Sequence, residues 1–190
     1  ITLIEASEIA GGASGKAGGM LAQWAFPSNL VGLSYKLHAE LAKEHDGINR
    51  WGYREVNCGQ LVVRGRALAE NTAGKSGGGD TESLQKRSAA ALSKLRSAKI
   101  PKDLDWIEPD LLRAYESMSG PGETAQVHPY LFTTSIAKLA QEKGANIILG
   151  QVTDIARSKS SVESVTYIDN TSGETQTIAA TDVLVAAGPW

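Results

Sequence analysis

The chain has 190 residues, a charged fraction of 21% and a formal net charge of -2, which is the composition of an ordinary globular protein. No basic excess indicates a nucleic-acid partner, no charge run indicates a tail, and no apolar run approaches the roughly 20 residues of a membrane helix. The single cysteine, Cys58, excludes an internal disulfide, fits a reducing compartment and has no metal-ligand residues at suitable spacing.

The chain opens with a β-branched and aliphatic run, Ile1–Ile4, that predicts a buried strand ending at an acid, Glu5. Dinucleotide-binding sheets use such an acid to hold an adenosine ribose. A glycine-rich segment, residues 11–20, follows and can bring backbone N–H groups close to a ligand. The alternatives are a surface carboxylate and a flexible turn. Since the phosphate fingerprint of that fold precedes the acid by about twenty residues, we expect the chain to be a fragment.

A long helix is predicted after the glycine-rich segment. Its apolar residues recur at helical spacing, at Leu30, Leu33, Leu37 and Leu41. Ser28 is a candidate N-cap, and Gly47 follows the end. His38 and His45 fall in this helix without a second ligand at metal spacing, so no metal site is predicted. Residues 59–64 are typical of a strand.

Residues 72–80 predict a solvated loop. Residues 69–76 nearly match a phosphate-binding P-loop, but the strand before it and the helix after it that this motif needs are not in the sequence. A second helix is predicted next and ends at Pro101, with an apolar face formed by Leu84, Ala91, Leu92 and Leu95. A loop-rich stretch with a short helix near residues 110–115 follows.

The last third of the chain predicts one helix and several strands. His128-Pro129 opens the helix, because proline suits a first helical turn, and Gly144 ends it. Strands are predicted at residues 146–149, 152–157, 162–168, 174–179 and 183–187, the last one buried. The turn residues 169–173 predict a hairpin between two of them.

Four stretches, taken in this order, resemble a known family. They are residues 1–20 (ITLIEASEIAGGASGKAGGM), 127–137 (VHPYLFTTSIA), 144–155 (GANIILGQVTDI) and 182–190 (DVLVAAGPW). The series is similar to the FAD-dependent oxidoreductases of the D-amino-acid oxidase and glycine oxidase family, and looks closest to uncharacterised fungal members. The resemblance implies an α/β fold, with a three-layer, Rossmann-like FAD-binding domain, here incomplete, and an inserted α+β substrate lobe. The FAD-binding domain would comprise residues 1–50 and 127–190, and part of the substrate lobe residues 51–126.

The resemblance also implies roles for individual residues toward FAD. Glu5 would bind the adenosine ribose with Ala6 beside it, and Val152 would contact the adenine through its backbone. The other implied contacts are Ala13 and Ser14 on the pyrophosphate, Gly18, Gly19 and Met20 along the flavin ring, and Ala186, Ala187 and Gly188 beneath the flavin. Met20 would lie toward the substrate. No metal ligand or catalytic residue is implied, and the groups that bind the substrate carboxylate are expected in later sequence.

The implied activity is FAD-dependent oxidation of the C–N bond of an amine or amino acid, by hydride transfer to flavin N5. Because FAD performs the redox step, the protein has to hold the flavin against a C–H bond next to the amine. Two alternatives stay open: a FAD-dependent dehydrogenase of a hydroxy acid or polyol phosphate, and a non-catalytic flavin-binding scaffold. The expected partner is a small molecule rather than nucleic acid. The expected location is intracellular, in the cytoplasm, with peroxisomal or endosomal association left open, and the fragment alone is expected to be inactive.

Overall fold

The computed structural model describes residues 1–65 and 100–188, which fall into two compact units, Ile1–Val56 with Gly122–Trp190, and Asn57–Pro121. The helices are α1 (Ala13–Lys16), α2 (Ser28–Glu44), α3 (Gly47–Trp51) and α4 (Pro129–Glu142). The strands are β1 (Thr2–Glu5), β2 (Met20–Ala22), β3 (Arg54–Glu55), β4 (Gly59–Val63), β5 (Leu112–Ser117), β6 (Thr124–Gln126), β7 (Asn146–Arg157), β8 (Val162–Asp169) and β9 (Thr175–Ala179). Only β4 and β5 belong to the second unit among these described elements.

The larger sheet of the first unit has the strand order β1-β7-β8-β9. β1 pairs with β7 in parallel, whereas β7, β8 and β9 form antiparallel pairs. Parallel strands need a crossover connection, and α4 leads into β7 through a turn at Gly144, whose φ of +90° suits glycine. The predicted strands at residues 1–4, 162–168 and 174–179 are confirmed. The parallel register sets Glu5 opposite Leu149.

β7 is a single strand of 12 residues, so the prediction of two strands at residues 146–149 and 152–157 is wrong. Gly150 lies between the two predicted segments, and a glycine is needed there for packing. A Cβ at this position would lie 2.8 Å from the carbonyl oxygen of Ile168. The irregularity lies further on, where the register with β8 shifts between Val152 and Asp154. Such a bulge leaves one residue out of the ladder and bends the strand.

A smaller sheet in the first unit has the order β2-β6-β3, with antiparallel pairs. Next to it, Val127 packs with Ala42 and with Trp51, which has no exposed surface. The ring of Phe132 meets Trp51 edge-on at a centroid distance of 5.5 Å, and His38 stacks on Phe132 at 4.9 Å. These rings join α2, α3 and α4 around one apolar core.

Helix α2 forms as predicted, but it does not bury the predicted face. Three of its leucines are exposed, namely Leu30, Leu33 and Leu37. The helix buries Tyr35 and Ala42 instead. Helical periodicity identifies an apolar face but not the surface that covers it. Tyr35 finds a specific partner, because its hydroxyl donates to the carbonyl oxygen of Gly122 at 2.9 Å.

The ends of the two long helices were predicted with mixed success. Pro27 is the N-cap of α2 and makes no side-chain bond, so Ser28 is the first helical residue rather than the cap. His45 lies just beyond the end of this helix. At α4 the prediction is confirmed. His128 is the N-cap, and its Nδ1 accepts from the backbone N–H of Leu131 at 3.4 Å.

The second unit contains the antiparallel pair β4–β5, in which Gly59 lies opposite Ser117. The strand predicted at residues 59–64 is confirmed. The prediction of a short helix near residues 110–115 is wrong, since Leu112–Ser117 is the strand β5. It pairs with β4. The predicted loop at 72–80, the P-loop-like residues 69–76 and the helix with Leu84, Ala91, Leu92 and Leu95 lie outside the described residues. The assignment of residues 51–126 to a substrate lobe stays a prediction.

The buried strand predicted at residues 183–187 does not form. These residues have no strand structure, and the side chains of Leu184 and Val185 are 92% and 72% exposed. An apolar run supplies strand propensity, but a strand also needs a neighbouring backbone. No strand of residues 1–65 or 100–188 pairs with this run. β1 is likewise less buried than predicted, with Leu3 43% exposed, because it lies at the edge of its sheet.

No helix in the described part of the chain is long and apolar enough to cross a membrane. The same residues contain no group of three or more His, Cys, Asp or Glu that could hold a metal ion. Cys58 is a half-buried free thiol.

Candidate functional site

The acid at the end of β1 is held by Ser7, two residues further along the chain. Oε1 of Glu5 accepts from the backbone N–H of Ser7 at 3.0 Å and from the Ser7 hydroxyl at 3.2 Å. Its side chain is half-buried, and Oε2 has no hydrogen bond to any residue in the two described ranges. A carboxylate that is fixed through one oxygen can accept from a ligand hydroxyl through the other.

Asn170, in the turn between β8 and β9, reaches the same end of β1. Its Nδ2 donates to the carbonyl oxygen of Ala6 at 2.9 Å. Its backbone N–H donates to the carbonyl oxygen of Leu149 at 3.0 Å. The backbone that follows the acid is therefore attached to the antiparallel part of the sheet.

Val152 lies on β7 three residues beyond Leu149, about 10 Å along the strand. The pairing of β1 with β7 ends at Leu149, so from Gly150 onward β7 pairs with β8 alone among the strands of residues 1–65 and 100–188. Alternate residues of a strand direct their N–H and C=O groups to opposite sides. This stretch of β7 therefore has an open backbone edge close to Glu5, as a contact from Val152 to adenine would require. Val152 itself is 43% exposed.

The glycine-rich segment folds as a tight turn that leads into α1. Ala10 is buried and has a φ of +67°, and a Cβ on Gly15 would collide with the Ala10 carbonyl oxygen. Gly15 is therefore required by the packing of the turn itself. Ala13 and Ser14 are exposed, and the Ser14 carbonyl oxygen accepts from Oγ1 of Thr133 at 3.2 Å. That bond fixes α1 to α4.

Gly18 and Gly19 are adjacent but have different surroundings. A Cβ built on Gly18 meets no heavy atom of the described residues within 4 Å, whereas one on Gly19 would collide with the carbonyl oxygen of Val127. Gly19 also has a φ of +78°. Met20 follows at the start of β2, opposite Gln126, and is 56% exposed. The open space at Gly18 and the exposed Met20 would leave room for a flat ligand along this segment.

The eleven predicted site residues are only partly brought together. Glu5, Ala6 and Val152 lie around one end of β1, and α1 with the 18–20 segment is anchored separately to α4 and β6. Ala186, Ala187 and Gly188 are exposed and outside any strand. Within the described residues, no hydrogen bond joins these three to the other predicted positions.

Sequence reasoning missed two residues that support the site, Asn170 and Thr133. Asn170 was recognised only as a turn residue, and turn propensity was the one signal that it carried. Thr133 lies within the helix predicted after His128-Pro129, and nothing in the sequence distinguishes it from other polar residues of a helix. Each bonds to the backbone of a predicted site segment more than a hundred residues away in sequence.

A parallel strand pair, an acid at the carboxyl end of one strand and a glycine-rich turn after it are typical of dinucleotide-binding α/β proteins. The family model DAO, described as FAD dependent oxidoreductase, matches residues 1–190. The chain therefore belongs to this family of FAD-dependent oxidoreductases, whose cofactor is FAD.

Two curated fungal relatives are provisionally named oxidoreductases, with no substrate in their names. TDA3 of Saccharomyces cerevisiae is 32% identical over 80% of this chain and 43% of its own length. C1F5.03c of Schizosaccharomyces pombe is 32% identical over 100% of this chain and 47% of its own length. The chain thus spans less than half the length of these curated relatives.

Two solved structures have a similar fold. Glycine oxidase from Bacillus cereus ATCC 14579 matches all of this chain and 50% of its own, with a TM-score of 0.61 and 17% identity. L-amino acid deaminase from Proteus myxofaciens, in complex with anthranilate, matches 92% of this chain and 37% of its own, with a TM-score of 0.51 and 18% identity. The α/β, Rossmann-like FAD-binding fold implied by the resemblance is confirmed.

The residues present fit FAD in three respects. Glu5 offers a free carboxylate oxygen for a ribose hydroxyl, β7 offers an open backbone edge, and Gly18 leaves space that a side chain would fill. The individual contacts stay predictions.

Proposed function

We propose that this chain contributes FAD-binding segments to an oxidoreductase that oxidises the C–N bond of an amine or amino acid. The observation that carries the proposal is the carboxylate of Glu5, fixed by Ser7 at the end of a strand that pairs in parallel with β7. Family membership supplies the cofactor. The substrate class is chosen because the two proteins of similar fold are called glycine oxidase and L-amino acid deaminase.

In this proposal each predicted residue has one task toward the cofactor. Glu5 would accept from the adenosine ribose hydroxyls, with Ala6 beside it, and β7 would meet the adenine at Val152. Toward the rest of the cofactor, Ala13 and Ser14 would lie against the pyrophosphate, Gly18, Gly19 and Met20 along the flavin ring, and Ala186, Ala187 and Gly188 beneath it. A carboxylate at the ribose disfavours a 2′-phosphate, so NADP is not the expected ligand.

Bound FAD supplies the acceptor for the hydride that leaves the substrate carbon next to nitrogen. The residues of this chain bind and orient. A hydrogen bond from a ribose hydroxyl to the Glu5 carboxylate would contribute roughly 1.5–3 kcal/mol to cofactor affinity, and Gly18 leaves the backbone open to close approach. Met20, exposed beside it, would form part of the wall on the substrate side. We assign no catalytic residue.

We also propose that the protein acts inside the cell on a small molecule. The single cysteine, Cys58, leaves no internal disulfide to stabilise the chain in an oxidising compartment. Fractionation of cells that express the tagged full-length protein would test the location, and recovery only from the medium would contradict it.

Glu5→Ala in the full-length protein, encoded by the intact gene, tests the binding part of the proposal. We expect the Kd for FAD of the apoprotein, measured by quenching of flavin fluorescence, to rise about 10- to 100-fold, the equivalent of the lost charged hydrogen bonds. Glu8→Ala is the matched control, since Glu8 is an exposed acid three residues along the same loop. An unchanged Kd for Glu5→Ala would remove the assignment of Glu5.

The substrate part needs the wild-type holoprotein. Loss of the oxidised flavin absorbance would be followed without oxygen, on addition of amines, amino acids, hydroxy acids and polyol phosphates. We expect bleaching by a member of the first two classes. Bleaching only by a hydroxy acid or a polyol phosphate would reassign the substrate, and no bleaching by any of them would favour a non-catalytic flavoprotein.

A further inference from the structure

Asn170 is hydrogen-bonded to two backbone segments next to Glu5, the residue that follows Glu5 in the chain and the residue that faces it in the sheet. Its side-chain amide donates to the carbonyl oxygen of Ala6, the residue directly after Glu5, at 2.9 Å. Its backbone N–H donates at 3.0 Å to the carbonyl oxygen of Leu149, and Leu149 lies opposite Glu5 in the parallel register. A single residue of the β8–β9 turn is thus bonded both to the segment after β1 and to the facing position on β7.

The turn that presents Asn170 is fixed by its own hydrogen bonds. Oδ1 of Asp169 accepts from the backbone N–H groups of Thr171 and Ser172 at 2.8 and 2.9 Å. Gly173, with a φ of +73°, donates to the Asp169 carbonyl oxygen at 2.8 Å. A side chain on a fixed turn loses less conformational freedom when it bonds to another segment. The bond to Ala6 therefore restrains the backbone of that segment effectively.

We infer that Asn170 is a positioning residue for the adenosine end of the cofactor. Its bond to Ala6 sets the backbone from which Glu5 presents its carboxylate, while Ser7 sets the carboxylate itself through Oε1. The inference rests on the proposed function, in which Glu5 accepts from the ribose hydroxyls. A ligand group held in advance in its binding position avoids the cost of ordering it when the ligand arrives.

Asn170→Ala in the full-length apoprotein tests the inference through FAD affinity, without any turnover. We expect the Kd for FAD to rise about 3- to 10-fold, the equivalent of one neutral hydrogen bond. Asn170→Asp keeps the size but replaces the donor by an acceptor that repels the Ala6 carbonyl oxygen, so the Kd should rise at least as much. Thr171→Ala is the matched control and should leave the Kd unchanged, because Thr171 takes part in the turn through its backbone N–H.

A double-mutant cycle separates positioning from a general structural role. If Asn170 acts through Glu5, its removal should change the Kd by less than about twofold once Glu5→Ala is present. Fully additive losses would overturn the inference and leave the proposed function standing. The same follows if Asn170→Ala binds FAD like wild type while Glu5→Ala binds weakly. An unchanged Kd for Glu5→Ala would instead overturn the proposed role of Glu5, and the inference with it.

Discussion

The carbonyl oxygen of Val127 occupies the space that a Cβ on Gly19 would need. The two residues are also hydrogen-bonded, since the carbonyl oxygen of Gly19 accepts from the backbone N–H of Val127 at 2.9 Å. Gly18 has no such neighbour, and its φ is not positive. Two adjacent glycines that are indistinguishable in the sequence thus meet different requirements. Gly19 is required by the fold, and Gly18 is available to a ligand.

Gly18→Ala and Gly19→Ala should therefore separate stability from cofactor binding. Gly19→Ala should lower the free energy of unfolding by at least about 2 kcal/mol, because it adds a collision to a left-handed backbone conformation. Gly18→Ala should change it by less than about 0.5 kcal/mol. In the proposed site the added methyl group meets the flavin, so FAD affinity should fall about tenfold, the scale of overpacking by one methyl group. Urea denaturation and FAD titration measure the two effects, and wild-type FAD affinity in Gly18→Ala would contradict a flavin contact there.

Trp51→Ala should be among the most destabilising substitutions in the first unit. Trp51 has no exposed surface and contacts Phe132 edge-on, so truncation leaves a large cavity and costs about 3–5 kcal/mol. Ile48→Ala, in the same helix α3, is the control, because Ile48 is 70% exposed and its loss should cost less than about 0.5 kcal/mol. Urea denaturation monitored by circular dichroism compares the two. Similar losses would mean that α3 packs in a different orientation.

Tyr35 should make stability depend on alkaline pH. Burial, followed by the nearby Tyr53, raises the pKa of its hydroxyl above the ordinary value of 10.0. The folded state then keeps a proton that the unfolded state releases. The stabilisation is therefore complete below pH 10 and is lost as the pH rises through the folded pKa. At pH 8, Tyr35→Phe should be about 1 kcal/mol less stable than wild type, because the substitution removes the hydrogen bond to Gly122. The difference should narrow toward pH 11. Urea denaturation at several pH values measures it, and a constant difference would exclude ionisation of Tyr35.

Asp169 should have the opposite dependence, at acid pH. Hydrogen bonds from the backbone N–H of Ser172, and then of Thr171, lower the pKa of its carboxyl below the ordinary value of 3.8. The stabilisation is present above that value and is lost as the pH falls through the folded pKa. Asp169→Ala should have a lower thermal midpoint than wild type at pH 7, and the gap should close below about pH 3.8. Asp154→Ala, at an exposed acid on β7, controls for the loss of charge. A gap that does not narrow as the pH falls below 3.8 would contradict this role of the carboxylate.

Sequence patterns predicted the elements that a single stretch of chain determines. Helix α4 begins at Pro129 and stops before Gly144, and the turn residues 169–173 join two strands. The errors concern elements whose structure depends on a distant partner. Leu30, Leu33 and Leu37 of α2 are exposed, whereas the helix buries Tyr35, whose hydroxyl bonds to the distant Gly122. Residues 183–187 have strand propensity but no paired neighbour among the described residues.

The candidate site divides in the same way. Glu5 could be predicted because a strand and the acid at its end are adjacent in sequence. Asn170 could not, because its bond to Ala6 spans 164 residues and a turn asparagine looks the same with or without such a bond. The packing requirement at Gly19 was hidden for the same reason, since it depends on Val127. Patterns in one sequence report local preference, whereas these contacts are tertiary.

The pairing of β1 with β7 joins Thr2 to Asn146, whereas β7, β8 and β9 follow one another through short turns. Loop-closure entropy grows with the logarithm of loop length. The pairing of β1 with β7 therefore costs roughly 2–3 kcal/mol more chain entropy than a hairpin does. Contacts so remote in sequence form slowly. We therefore expect the three antiparallel strands to assemble first during folding and to serve as the template on which β1 docks. In the newly synthesised chain, Glu5 would then reach its position for the cofactor in a late folding step, after Asn170 is already in place.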